Sequence, residues 1–152
     1  MHHAATIAAI ALVLVAGCNA GPKAAPGGAA PAMTQAPAAD LTSLVGSLWL
    51  AEDIGGGGVI DNLQTKLQFV ATDRVAGHAG CNSFNGAATL SGAALSFGPF
   101  ATTRMMCAPA VMDQEGKFIR ALESARTARL ENDLLILMDE SGTPVLRFSR
   151  MP

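Results

Sequence analysis

The chain has 152 residues, 50% of them hydrophobic and 14% charged, with 10 Lys and Arg against 12 Asp and Glu for a formal net charge of −2. That length suits a single domain, and the near-balance of charge disfavours a nucleic-acid partner, whose phosphates call for a clustered basic excess. The apolar content is too high for a wholly disordered chain, yet no run reaches the roughly 18 apolar residues of a helical membrane span, which leaves a small globular domain plus an apolar segment at one end.

The apolar segment comes first. Ala4 to Ala16 has the length of a secretory apolar core and runs directly into Val15-Ala16-Gly17-Cys18. That tetrad resembles the bacterial lipobox, in which small residues let the processing peptidase reach the bond before a cysteine that carries the lipid. The resemblance implies a signal peptide over residues 1–17, acylation of Cys18 and anchoring to a membrane through it. The leader Met1-His2-His3 departs from the pattern in having no Lys or Arg, and an ordinary secretory signal is the alternative reading. From Asn19 to Asp40, nine Ala, four Pro and three Gly fill most of the positions. Pro22, Pro26, Pro31 and Pro37 interrupt any helix the alanines start, so residues 18–40 are expected to form a disordered tether reaching about 25 Å on average.

Residues 41–152 are expected to be the folded domain. Ser47 to Glu52 reads as a first strand, followed by a loop at Gly55-Gly56-Gly57-Gly58. Lys66 to Val70 alternates apolar and polar residues, and Thr72-Asp73 turns it into Arg74 to Ala79. Ala87 to Leu90 and Ala93 to Phe97 flank Ser91-Gly92, a hairpin signal. From Pro109 the period changes: Val111, Met112, Phe118, Ile119, Leu122 and Ala125 fall at helical spacing, with Asp113, Arg120 and Glu123 toward water. Leu134 to Met138 is apolar enough to be buried on both faces, and Glu140 to Thr143 turns it into Val145 to Ser149. The expected fold is mainly β with one α-helix (α+β), a small antiparallel barrel capped by that helix.

The sequence holds three cysteines. With Cys18 assigned to lipid, Cys81 and Cys107 remain as an even pair in an oxidising compartment, and a bridge between them is worth roughly 3.5 kcal/mol on loop entropy. Two other readings stay open: His78, Cys81 and Cys107 as ligands of a metal, which would still need a fourth group, or a free Cys–His pair. The surroundings of both cysteines then point to a family. Gly80-Cys81-Asn82-Ser83-Phe84-Asn85-Gly86 resembles the first motif of META domains, the HslJ-like family, and Thr103-Arg104-Met105-Met106-Cys107 resembles the second. Trp49-Leu50, Leu67-Gln68-Phe69, Glu115 and Phe118 agree with it. The resemblance implies a compact barrel-like fold with one helix, export, frequent lipid anchoring and a loose association with envelope stress, but no catalytic residue. Gly80, Asn82, Gly86, Thr103 and Met105 are accordingly expected to serve structure.

Little in the chain suggests turnover. The four-glycine loop lacks the Gly-Lys-Ser/Thr of a phosphate loop and opens no helix. Nucleophile-elbow and zinc-protease motifs do not occur, and there is no tyrosine. Met105, Met106 and Met112 are expected to fill core beside the disulfide rather than form an adaptable surface. The expectation is therefore a non-enzymatic envelope lipoprotein with no cofactor and no metal, facing the periplasm from the outer membrane if the host has two. Its partner would be an envelope protein or a cell-wall component. The alternative is a barrel carrying a small apolar ligand in its mouth, and a cavity would separate the two.

Overall fold

The structure, a computed structural model, describes residues 41–152. The expected signal segment, Cys18 and the tether lie outside the described residues. A 3-10 turn at Leu41–Leu44 leads into β1 (Leu48–Ile54), β2 (Thr65–Ala71), β3 (Arg74–Ala79), β4 (Ser83–Ser91) and β5 (Ala94–Thr102). The one α-helix among the described residues, α1 (Pro109–Ser124), follows, and then β6 (Thr127–Glu131), β7 (Leu134–Met138) and β8 (Pro144–Arg150). Each strand lies beside the next in sequence and β8 returns to β1, so the eight strands close into an antiparallel barrel with no free end strand. This is the mainly β, one-helix architecture that the alternation of the sequence implies. Among the described residues no helix is long and apolar enough to cross a membrane.

An eight-stranded barrel is just wide enough for side chains to fill, and here they do. Trp49, Leu67, Phe69, Val75, Leu135, Leu137, Leu146 and Phe148 are buried along the axis. In β1 the inward alternation of Trp49 and Ala51 slips by one residue at a bulge between Ala51 and Asp53, which turns Ile54 inward and leaves Asp53 at the rim. The helix closes the assembly with Phe118 and Leu122, both fully buried. Phe118 meets Phe148 of β8 edge-on at 6.1 Å and Phe84 of β4 at 5.8 Å, and Phe84 in turn meets Phe100 of β5 at 5.2 Å. One aromatic chain thus ties the helix across the barrel. Pro109 starts α1, and at its other end the Arg126 guanidinium donates to the carbonyls of Glu123 and Ala125 at 2.8 and 2.7 Å.

Two glycines make room for these rings. A Cβ at Gly77 would lie 2.1 Å from the Lys66 carbonyl oxygen and 2.6 Å from the Phe84 ring, and one at Gly86 would lie 2.7 Å from the Phe100 ring. Gly77 pairs with Phe84 across β3 and β4, and Gly86 with Phe100 across β4 and β5. Each phenylalanine covers the bare backbone of the glycine opposite it. Because the nearest atom at Gly77 is backbone, Gly77→Ala is expected to lower stability by about 1–3 kcal/mol, read as a shifted urea midpoint at unchanged m-value.

Some expectations need correction. β4 begins at Ser83, four residues before the strand expected from Ala87, so Phe84, Asn85 and Gly86 of the first motif belong to that strand. β6 carried no readable signal: only Ala128 of its five residues is buried, and its ladder with β5 is the single register pair Ala94 and Thr127. Met105, Met106 and Met112 do not fill core. Met106 is 95% exposed and Met105 55%, because the chain between β5 and α1 runs over the outside of the barrel.

The turn joining β7 to β8 is held by one carboxylate. Asp139 Oδ1 accepts from Ser141 N at 2.9 Å, Ser141 Oγ at 2.7 Å and Thr143 N at 3.0 Å. These bonds, the Ser141 hydroxyl first, hold the Asp139 carboxyl below the usual aspartate range. A depressed folded-state pKa stabilises the turn above the ordinary aspartate value, and that contribution is lost as pH falls through the lowered one. An NMR titration should find the Asp139 carboxyl protonating below free aspartate, with the Ser141 and Thr143 amides losing exchange protection in step.

Candidate functional site

Three segments meet at one end of the barrel: the β1–β2 loop, the β3–β4 turn, and the stretch from Thr103 to Ala108 that leads into α1. Gly80, at φ +114°, gives the β3–β4 turn a backbone that side chains rarely adopt. The turn delivers Asn82 into a buried position, 2% exposed, against the first half of α1. Asn82 spends its whole side chain there. Its Nδ2 donates to Glu115 Oε1 at 2.9 Å and to the Met105 carbonyl at 3.3 Å, and its Oδ1 accepts from Met105 N at 2.7 Å and Thr103 Oγ1 at 2.9 Å. The Asn82 backbone N–H adds a bond to Glu115 Oε2 at 2.7 Å. Beside this latch Cys81 and Cys107 are joined by a disulfide, with their Cα atoms 6.0 Å apart. The two motifs therefore form one device, which fastens the crossing from β5 to α1 onto the β3–β4 turn.

A second fastening holds the glycine loop. Gln114 Oε1 accepts from Ile60 N at 2.7 Å while its Nε2 donates to Thr65 Oγ1 at 3.1 Å. Asp53 accepts from Gly56 N at 2.7 Å and Gly58 N at 2.8 Å. The amides that would cradle a phosphate are thus already bound to the protein's own carboxylate. Between this loop and α1 lies a groove of about 660 Å³, floored by Ile54, Val59, Ile60, Ala121 and Val145 and rimmed by Asp113, Lys117 and Arg120.

Of the residues singled out in the sequence, Gly80, Cys81, Asn82, Thr103, Met105 and Cys107 come together at this end, while Gly86 lies farther along β4 under Phe100. The disulfide takes both sulfurs of the His78, Cys81 and Cys107 set. His78 sits half-buried in β3, its Nδ1 accepting from Gly80 N at 3.2 Å. Beside Lys66, Asn62 and Gln64 it borders a shallow polar cleft of about 370 Å³. Gln114 carries no mark in the sequence, whereas Glu115 does. A signal for Glu115 existed: it falls four residues after Val111 and three before Phe118, a carboxylate on the apolar stripe of the helix.

The META domain family model matches residues 42–152. The chain belongs to the META domain family. Among solved structures it is similar to an NMR structure of a protein with 25% sequence identity and a TM-score of 0.57, covering 70% of this chain and 91% of that one. An NMR structure of a protein from Burkholderia xenovorans matches at 21% identity and TM-score 0.61, over 84% of this META chain and 99% of the other. A DUF4847 family protein from Bacteroides vulgatus, a crystal structure, matches at 14% identity and TM-score 0.53, over 72% and 95%. The last two likenesses establish the fold alone. No curated protein matches the chain.

Proposed function

We propose that this META domain protein is a non-enzymatic envelope lipoprotein, acylated at Cys18, that binds a protein or cell-envelope component and serves envelope maintenance or the response to stress. If the host has two membranes, Asn19 after the acylated cysteine favours the outer one. The observation that carries the binding reading is the contrast at the motif end of the barrel. The polar side chains of Asn82 and Glu115 are spent on one another and on the backbone, so this latch offers no free acid, base or nucleophile. The segment it holds stiff presents Met105 and Met106 to solvent, and methionine is the side chain that adapts most readily to an apolar partner.

Two measurements in intact cells test this. Palmitate labelling should mark the wild type and not Cys18→Ser; equal labelling would remove the anchor. A photocrosslinking residue at position 106 should give a discrete adduct, whereas one at Val70, also an exposed apolar position at 48%, should not. Adducts of equal yield at both positions would remove the binding surface. His78→Ala is expected to leave stability within about 0.5 kcal/mol and the phenotype unchanged; loss of function at unchanged melting temperature would restore an enzymatic reading.

A further inference from the structure

The groove between the glycine loop and α1 is separate from both the methionine segment and the barrel interior, and its chemistry is unusually restricted. Its volume of about 660 Å³ falls in the range of small-molecule sites. Its loop wall offers few donors. Gly55 N donates to the Val145 carbonyl at 2.9 Å and Gly57 N to the Ile54 carbonyl at 3.2 Å, Gly56 and Gly58 are held by Asp53, and Ile60 N is held by Gln114. On the helix wall Lys117 is paired with Asp113 at 2.7 Å. Arg120, one turn further on, has no carboxylate partner among the described residues. What remains for a ligand is an apolar floor and a single uncompensated cation at its rim.

From this we infer that the groove binds a small free amphiphile with one anionic head, a medium-chain carboxylate, its hydrocarbon over Ile54, Val59 and Val145 and its carboxylate on the Arg120 guanidinium. A polyanion is disfavoured, because Asp113 already neutralises Lys117 on the groove's rim and leaves Arg120 alone to meet negative charge. A purely apolar ligand would leave Arg120 unused. This inference does not depend on the anchor or on the partner proposed above.

The test uses full-length protein in zwitterionic phosphatidylcholine nanodiscs, with the Gly57 and Gly58 amide shifts followed by NMR during titration with octanoate, octanol and acetate. Octanoate is expected to saturate, to bind about five- to ten-fold more tightly than octanol at low salt, and to lose part of that advantage in high salt, since the cation is exposed; acetate should not bind. Arg120→Gln, a surface change that leaves the core intact, should bring octanoate down to the affinity of octanol. Ala121→Trp, which fills the floor, should abolish both. Equal affinity for octanoate and octanol in the wild type, or octanoate binding unchanged in Arg120→Gln, would overturn the inference. So would a saturating response to a short acidic peptide with none to octanoate.

Discussion

Asn82→Ala is expected to lower the stability of the domain by about 2–4 kcal/mol, a large share of what a domain this size possesses. The change removes four side-chain hydrogen bonds from a buried position and leaves the Glu115 carboxylate with only the Asn82 backbone N–H. A buried carboxylate that loses a donor bears its desolvation cost uncompensated. Asn82→Asp should be worse than Ala at neutral pH, because it places a second carboxylate where Nδ2 donates to Glu115 Oε1 at 2.9 Å. Adding Glu115→Gln to Asn82→Asp should then recover much of the loss. Urea unfolding of the two single variants and the double variant reads the coupling directly. If Glu115→Gln makes Asn82→Asp no more stable, the pair does not act as a latch.

The second large effect belongs to the Cys81–Cys107 bridge. Its partners are separated by 26 residues in sequence, and removing it through Cys81→Ala with Cys107→Ala should cost about 2–5 kcal/mol. The cost has a place in the fold. The Thr103 to Ala108 crossing leads from β5 to the helix that closes the barrel, and the ladder between β5 and β6 is a single register pair, Ala94 and Thr127. Without the bridge this seam relies on the Asn82 latch and on Phe118, so hydrogen exchange should rise first in α1 and β6 and last in β1, β2 and β8. Non-reducing peptide mapping of exported protein should find the Cys81 and Cys107 peptides linked. Two freely alkylated thiols in folded protein would reopen the metal and reactive-thiol readings.

Most of the architecture was legible from period alone. Lys66 to Val70, Arg74 to Ala79 and Val145 to Ser149 alternate because one face of a barrel strand is packed and the other wet. Leu134 to Met138 is denser because three consecutive residues, Leu135 to Leu137, are buried. The helix announced itself through Pro109 and through Phe118 and Leu122 on one face. The family was legible as well, through two motifs that the fold turns out to fasten together.

Other features carried no local signal. β6 is short and half-exposed, so neighbouring strands define it rather than its own pattern. The outward position of Met105 and Met106 follows from the path of the crossing segment, since methionine alone is compatible with core and surface alike. Whether the glycine loop could hold an anion depended on Asp53, which a bulge places at the rim. Thus the amino-acid sequence by itself determined the alternating strands, the helix and the family, all written in the spacing of apolar residues and in two contiguous motifs. Only the tertiary structure decided which polar groups are spent on one another and which are left free. Asn82 with Glu115 and Gln114 with Thr65 are relations between segments up to 49 residues apart, and hydrogen bonding across such distances leaves no periodic trace in a chain.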